Sequence, residues 1–364
     1  MAVIWCVVCS PTLADLQDVT LYKNGKRHTL NLPSEEGADP DIVWELFNTQ
    51  KCSLRILRPQ QYSRPVSAAL AMMEEFFASG CGTNAYLTPA HSQGFAPHWD
   101  DVEAFVVQLE GSKSWKIHAL GDDSTQILPR YSSDNFNDTI LANQPPILEI
   151  TLEPGDIMYF PRGTIHQAVS STEDSLHITL STAQKNAWAD LMENVIQNAM
   201  AAAFDRLPEL RESLPRDYVN HLGVMHSDSD APGRAALLKK VALICNSILD
   251  SVPEVLDDAA DTMACRFLYD RQPPQNLLSS EELGLAPEID QQEVESEKMH
   301  TTPNAKPASE PTDAITEETQ IRLVTRHCIR LVTEEDCKLY YANKNTEVYH
   351  EMDPQALVLP IHFA

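Results

Sequence analysis

Residues 94 to 105 read Gly94-Phe95-Ala96-Pro97-His98-Trp99-Asp100-Asp101-Val102-Glu103-Ala104-Phe105. In extended chain, side chains at i and i+2 share a face, so His98 and Asp100 reach a common point while Trp99 turns away. Ala104 to Leu109 then runs apolar until Glu110-Gly111 closes it. Ile147 to Leu152 ends in the same manner at Glu153-Pro154-Gly155-Asp156, and Val19 to Tyr22 ends at Asn24-Gly25. Short runs punctuated by turn chemistry, from Asp18 to about Ser181, predict an antiparallel sandwich or barrel and a mainly β fold. One helix is expected inside it, over Ser67 to Phe77 after Arg64-Pro65, with an apolar stripe that packs on the outside of the sheet.

A second histidine arrives in Tyr159-Phe160-Pro161-Arg162-Gly163-Thr164-Ile165-His166-Gln167, where an apolar strand ends in a Pro-Arg-Gly turn and delivers His166 to the next strand. Two imidazoles and one carboxylate on one side of a metal make the facial triad of non-haem iron(II) oxygenases, which leaves the remaining positions open for co-substrate and dioxygen. His98-x-Asp100 alone is a frequent chance spacing; the combination with His166 carries the expectation. Lys113 follows on the strand after Glu110-Gly111, in Gly111-Ser112-Lys113-Ser114-Trp115-Lys116. If it points into the barrel, its ammonium can pair with a carboxylate through a charge-assisted bond. Asn84 and Tyr86 share one strand face, and His177, Thr179 and Ser181 another, so each set can add hydrogen bonds to the same space.

The texture changes near Gln184. Trp188, Leu191, Met192, Val195, Ile196 and Ala199 fall on one helical face. Ala236 to Val252 is expected as a second helix with Leu237, Val241, Ile244, Cys245 and Ile248 inward, and Leu207-Pro208, Leu214-Pro215 and Pro232-Gly233 are breakers. Such stripes form internal core or a face for a second copy of the chain. Residues 286–316, with Pro287, Pro303, Pro307 and Pro311 among acidic and small polar residues, fit a flexible linker. Gln320 to Val332 and Cys337 to Val348 follow as strand-like runs.

With 27 Lys and Arg against 53 Asp and Glu among 364 residues, the formal charge of −26 opposes direct binding to nucleic acid and favours a basic partner. Eight scattered cysteines argue against a disulfide framework and for a reducing compartment. Cys6-Val-Val-Cys9 has a CxxC spacing with no second half nearby. The apolar opening from Met1 to Cys9 is far shorter than a membrane span and is expected as a buried strand or the edge of an incomplete N-terminus; no membrane segment is expected elsewhere.

GFAPHWDDVEAFVVQLEGSKSW (94–115), LEPGDIMYFPRGTIHQA (152–168) and HITLSTAQKNAWADL (177–191) together resemble the JmjC ribosomal oxygenases, histidyl-hydroxylases also described as lysine-specific histone demethylases. DVTLYKNGKRHTLN (18–31) is more similar to the nucleolar paralogue than to its shorter sister. The resemblance implies a double-stranded β-helix (jelly-roll, cupin-like JmjC) over 1–183, a helical dimerisation region over 184–285, the linker over 286–316 and a partial winged helix over 317–364, in a chain truncated at both ends. It implies Fe(II) held by His98, Asp100 and His166, 2-oxoglutarate held by Lys113 with Asn84, Tyr86, His177 and Thr179 lining its pocket, O2 as co-substrate, and Tyr86 and Ser181 beside the substrate. The implied target is a histidine of a ribosomal protein, in the nucleus and nucleolus. Its rivals are N-methyl-lysine of a histone tail, by the same iron chemistry, and a non-catalytic scaffold that binds a basic protein.

Overall fold

In the computed structural model, the protein is described over residues 19–23, 26–28, 40–118, 127–136, 141, 145–274, 323, 325–333, 337–342, 345 and 355–358. Strands β1 (Val19–Lys23), β2 (Lys26–His28), β3 (Ser53–Leu57), β4 (Cys81–Thr88), β5 (Glu103–Glu110), β6 (Lys113–His118), β7 (Pro146–Leu152), β8 (Ile157–Phe160), β9 (Ile165–Ser170) and β10 (Ser175–Thr182) build two facing sheets. The larger has the order β2-β1-β3-β4-β10-β5-β8 and the smaller β7-β6-β9. All their pairings are antiparallel. From β5 onward the chain passes back and forth between the two sheets, with β8 and β10 returning to the larger and β6, β7 and β9 in the smaller, so it winds as a double-stranded β-helix, a jelly roll.

Alternation along the strands explains the two sides of this barrel. Ala104, Val106 and Gln108 of β5 are buried at every second position, and Ala104 and Val106 pack inside with Trp115, Ile117, Leu152, Met158 and Phe160. The opposite face of the large sheet carries helices. Helix α1 (Pro40–Asn48) places Val43, Leu46 and Phe47 on Leu54, Ile56, Ala85, Leu87 and Leu176. Helix α2 (Arg64–Phe77) places Leu70 on Cys81 and Leu180. It begins three residues before the expected Ser67, because Pro65 is accommodated in the first turn, where its missing N–H costs nothing. Gly111, at φ +60°, makes the tight turn between β5 and β6.

Three helices follow, α3 (Trp188–Arg206), α4 (Pro232–Leu249) and α5 (Val252–Asp270). The expected helix over 236–252 starts earlier, with Pro232 opening it, and α5 is a further helix, not separately read from the residue pattern, inside the helical region expected over 184–285. The expected faces are corrected in detail. On α3 only Val195 and Ala199 of the anticipated stripe are buried, joined by Ala203, whereas Trp188 is 81% exposed and Met192 and Ile196 also face outward. On α4 Ile248 is buried, but Val241 and Cys245 are exposed. Helical spacing identifies apolar neighbours on a helix; the angle at which helices cross selects which of them are covered.

A separate sheet, β11 (Ile329–Thr333), β12 (Cys337–Tyr341) and β13 (Gln355–Val358), lies near the end of the chain. Residues 1–18, which hold the CxxC pair, and the 286–316 segment lie outside the described residues. Among the described residues no cysteine is in a disulfide and no helix is long and apolar enough to cross a membrane.

Candidate active site

His98 and Asp100 lie in irregular chain just before β5, contrary to a continuous strand. His98 makes an isolated two-way bridge with His166, each backbone N–H donating to the other's carbonyl (3.3 and 2.9 Å). Asp100 is held from the far side, where its carbonyl accepts from Gly163 N–H at 2.9 Å. Gly163 has φ +83°, a conformation suited to glycine in the turn leading to β9.

The bridge brings the three side chains together. His98 Nε2 is 3.7 Å from Asp100 Oδ1, His166 Nε2 is 3.8 Å from Asp100 Oδ2, and one ligand atom from each residue lies within 4.8 Å of the others. Each imidazole Nδ1 faces a carbonyl two residues back, His98 on Ala96 at 2.8 Å and His166 on Thr164 at 3.0 Å. A carbonyl only accepts, so these contacts put the proton on Nδ1 and leave the Nε2 lone pairs for a metal. Burial, helped by the nearby His98, lowers the His166 pKa to about 4, so this ring is neutral at physiological pH. Two ligand atoms on one ion with bonds of ~2.1 Å lie at most about 4.2 Å apart, and the two carboxylate separations fall within that limit. The donor set therefore fits a divalent metal with part of its coordination sphere open to the cavity.

That cavity, about 560 Å³ with its open mouth, is lined by His98, Asp100 and His166 together with Tyr86, Lys113, Trp115, Phe160, His177 and Thr179 among others. Pairing of β6 with β9 sets Lys113, Trp115 and Ile117 opposite Ser170, Ala168 and His166. Lys113 is thus directed inward and is only 6% exposed; its ammonium donates to Thr88 Oγ1 at 3.0 Å. Burial pulls its pKa down to about 7. On the opposite wall, β4 and β10 pair His177 with Tyr86, Thr179 with Asn84 and Ser181 with Gly82. The Tyr86 ring stacks on His177 at 4.8 Å, and Trp115 meets His177 edge-on at 5.4 Å. Burial first, then Lys113, holds His177 well below its usual pKa, and burial raises the Tyr86 hydroxyl to about 12.

Asn84 and Ser181 sit farther along this wall and are not among the residues lining the cavity. Asn84 donates to the Tyr86 hydroxyl at 3.4 Å, and Ser181 donates to the Gly82 carbonyl at 3.3 Å. Several contributors had no distinct sequence signal: Thr88 as the hydroxyl under Lys113, the Ala96 and Thr164 carbonyls, and Phe160 in the wall. For Thr88 and Phe160 the parity of β4 and β8 relative to the other inward residues was the available clue.

A jelly-roll barrel with two imidazoles and a carboxylate converging in the lining of its cavity defines a metal-binding cupin-type domain. Residues 55–191 match the JmjC domain family, and residues 285–364 match the C-terminal winged helix domain of ribosomal oxygenase 1. The second match includes the stretch expected as a linker. The chain is 42% identical over 348 residues to the bifunctional lysine-specific demethylase and histidyl-hydroxylase NO66 of Culex quinquefasciatus, covering 93% of this chain and 50% of the relative. Ribosomal oxygenase 1 of Rattus norvegicus is 41% identical over 345 residues, with 93% and 54% covered. Among solved structures, Escherichia coli ycfD is 16% identical, with a TM-score of 0.41 and 66% of this chain and 58% of that chain covered. Over nearly its whole length, the chain is thus similar to the JmjC-domain ribosomal oxygenases. It spans about half the length of these curated relatives.

Proposed function

We propose that the chain is an iron(II)- and 2-oxoglutarate-dependent protein oxygenase whose favoured substrate is a histidine side chain of a ribosomal protein. The convergence of His98, Asp100 and His166 beside a cavity that holds the buried Lys113 carries this reading. With iron(II) bound, the site supplies dioxygen activation coupled to oxidative decarboxylation of 2-oxoglutarate, which yields succinate and carbon dioxide and adds one oxygen atom to a substrate C–H bond.

The chain's own residues bind and orient. His98, Asp100 and His166 would hold the metal, with both ring protons fixed on Nδ1. Lys113 would receive the distal carboxylate of the 2-oxo acid, a pairing strengthened by burial of the ammonium. Trp115, Phe160 and Val106 wall this space with apolar surface, while Tyr86, His177 and Thr179 offer polar atoms to its contents. Tyr86 and Ser181 are assigned to the approach of the substrate side chain. His98→Ala should abolish both metal binding and succinate formation; succinate released at the wild-type rate would overturn the triad assignment.

A basic substrate agrees with the net charge of −26, and the relatives named ribosomal oxygenase point to a ribosomal protein. Mass spectrometry of ribosomal proteins incubated with the chain, iron(II), ascorbate and 2-oxoglutarate should reveal the gain of one oxygen on a histidine. Formaldehyde release from methylated histone tails without that product would favour demethylation. A homodimer belongs to the same proposal, because Trp188, Met192, Ile196, Met200 and Phe204 leave an exposed apolar row along α3. Sedimentation of the chain at twice its monomer mass is expected, and a monomer at micromolar concentration contradicts it. Nucleolar residence is likewise proposed, to be checked by microscopy of the tagged protein.

A further inference from the structure

Asp100 lies outside any strand, so no sheet ladder fixes the backbone that aims it. A different segment performs that service. Residues 127–136, between β6 and β7 in sequence, run alongside the ligand-bearing stretch 97–101. Ser133 brackets Trp99, the residue between the two ligands: Trp99 N–H donates to Ser133 Oγ at 2.9 Å, and Ser133 N–H donates to the Trp99 carbonyl at 3.0 Å. Phe136 N–H donates to the Pro97 carbonyl at 2.8 Å, and the Trp99 indole donates to the Tyr131 carbonyl at 3.1 Å. On the other flank of Asp100, Ser132 Oγ accepts from Asp101 N–H at 3.2 Å and donates to Asp101 Oδ1 at 2.8 Å. The segment thus replaces the missing neighbour strand.

What anchors it belongs to the helical region. Arg130 donates to Glu193 Oε1 and Oε2 at 2.5 and 2.6 Å and to Asp190 Oδ1 at 2.8 Å. Asp190 is buried in the first turn of α3, where its other oxygen accepts from Ala187 N–H at 2.8 Å and fixes the helix start. Gln184, just before α3, adds a donor to Asp101 Oδ2 at 3.0 Å. A planar guanidinium held by two carboxylates has little freedom, so the position of α3 is transmitted to residues 130–133 and from them to the peptide groups on both sides of Asp100.

We propose that Arg130 is a positioning residue, which with Ser132 and Ser133 makes the metal-ligand geometry depend on the first turn of the helical region. The inference rests on the metal site proposed above. Groups that orient ligands without touching the ion typically contribute about 10–100-fold in metal affinity. The test is calorimetric titration of the purified chain with cobalt(II), together with the visible absorption of the bound ion, which reports ligand arrangement independently of turnover. Arg130→Ala should bind cobalt(II) about tenfold more weakly, with an altered spectrum, and Arg130→Lys should recover part of the loss. Glu193→Gln, an exposed change that leaves the core untouched, should move affinity in the same direction by a smaller factor. Wild-type affinity and spectrum in both Arg130→Ala and Glu193→Gln would overturn the inference. If Arg130→Ala fails to fold by circular dichroism, Glu193→Gln decides alone. Absence of cobalt(II) binding in the unaltered chain would overturn the metal site itself.

Discussion

Replacing Lys113 with methionine should stabilise the empty chain and weaken its hold on 2-oxoglutarate, two effects of opposite sign from one buried ammonium. Burial lowers the Lys113 pKa from 10.5 to about 7. At ~1.4 kcal/mol per pH unit, that fall corresponds to a penalty of roughly 5 kcal/mol for placing the charge there. The bond to Thr88 Oγ1 offsets about 1 kcal/mol of it, and its loss leaves a buried hydroxyl without this donor. A net gain of roughly 2–4 kcal/mol at pH 7 is therefore expected for the methionine variant.

The pH dependence gives a second reading. Between about 7 and 10.5 the unfolded chain keeps a proton that the folded chain has released, so this group makes stability rise with pH across that window. Below about 7 both states are protonated and the full penalty remains. Denaturant unfolding at a series of pH values should find the stability gap between variant and wild type widest at pH 6–7 and closing towards pH 10, in keeping with the values just cited. Calorimetry with cobalt(II) present should find 2-oxoglutarate bound about 30-fold or more weakly by the variant, since truncating one member of a desolvated charge pair costs about 2–5 kcal/mol. A variant less stable than wild type at pH 6 and 7, with 2-oxoglutarate affinity unchanged, would refute the reasoning on both counts.

Arg271 is fully buried, with its Nη1 3.6 Å from Glu75 Oε2, and Glu75 also accepts from the backbone of Arg326 at 2.7 Å. Arg271→Ala should lower stability by about 3–5 kcal/mol, read from the denaturant midpoint, and should speed hydrogen exchange at Arg326; wild-type values would show that this buried cation does not hold Glu75 against the Arg326 backbone. Gly111→Ala forces a Cβ to 2.1 Å from the Asp174 carbonyl oxygen at φ +60°, so a loss of at least about 2 kcal/mol in chemical denaturation is expected. Trp115 packs against Phe160, His166 and His177, and Trp115→Ala should cost about 3–5 kcal/mol while weakening cobalt(II) binding; a stable variant with full affinity would show that the wall does not support the ligands.

Much of the barrel was legible because strand residues alternate between two environments. Ala104, Val106 and Gln108 fall on one side of β5 because extended chain repeats every two residues, whereas His98 and Asp100 lie in irregular chain and meet through the bridge to His166. Turn chemistry at Glu110-Gly111 and Glu153-Pro154-Gly155-Asp156 marked where runs stop, since glycine and proline constrain the backbone locally. The resemblance carried by three long motifs supplied the family and the candidate ligands. Lys113 was harder. A lysine beside a strand tryptophan has the same local pattern whether its face meets solvent or a cavity, and only the pairing of β6 with β9 turns it inward.

The sequence by itself determined which side chains travel together: the strand faces, the order of the three metal-ligand candidates, and the apolar rows of α3 and α4. Tertiary structure decided what each face meets. It buried Val195 and Ala199 while leaving Trp188 and Met192 outside, added α5 as a third helix within the helical region, and brought Arg130, Ser132 and Ser133 against a ligand-bearing stretch that lacks a strand partner. Local periodicity is a property of a few consecutive bonds, whereas coverage of a face and support of an irregular segment depend on chain that arrives from far away in sequence.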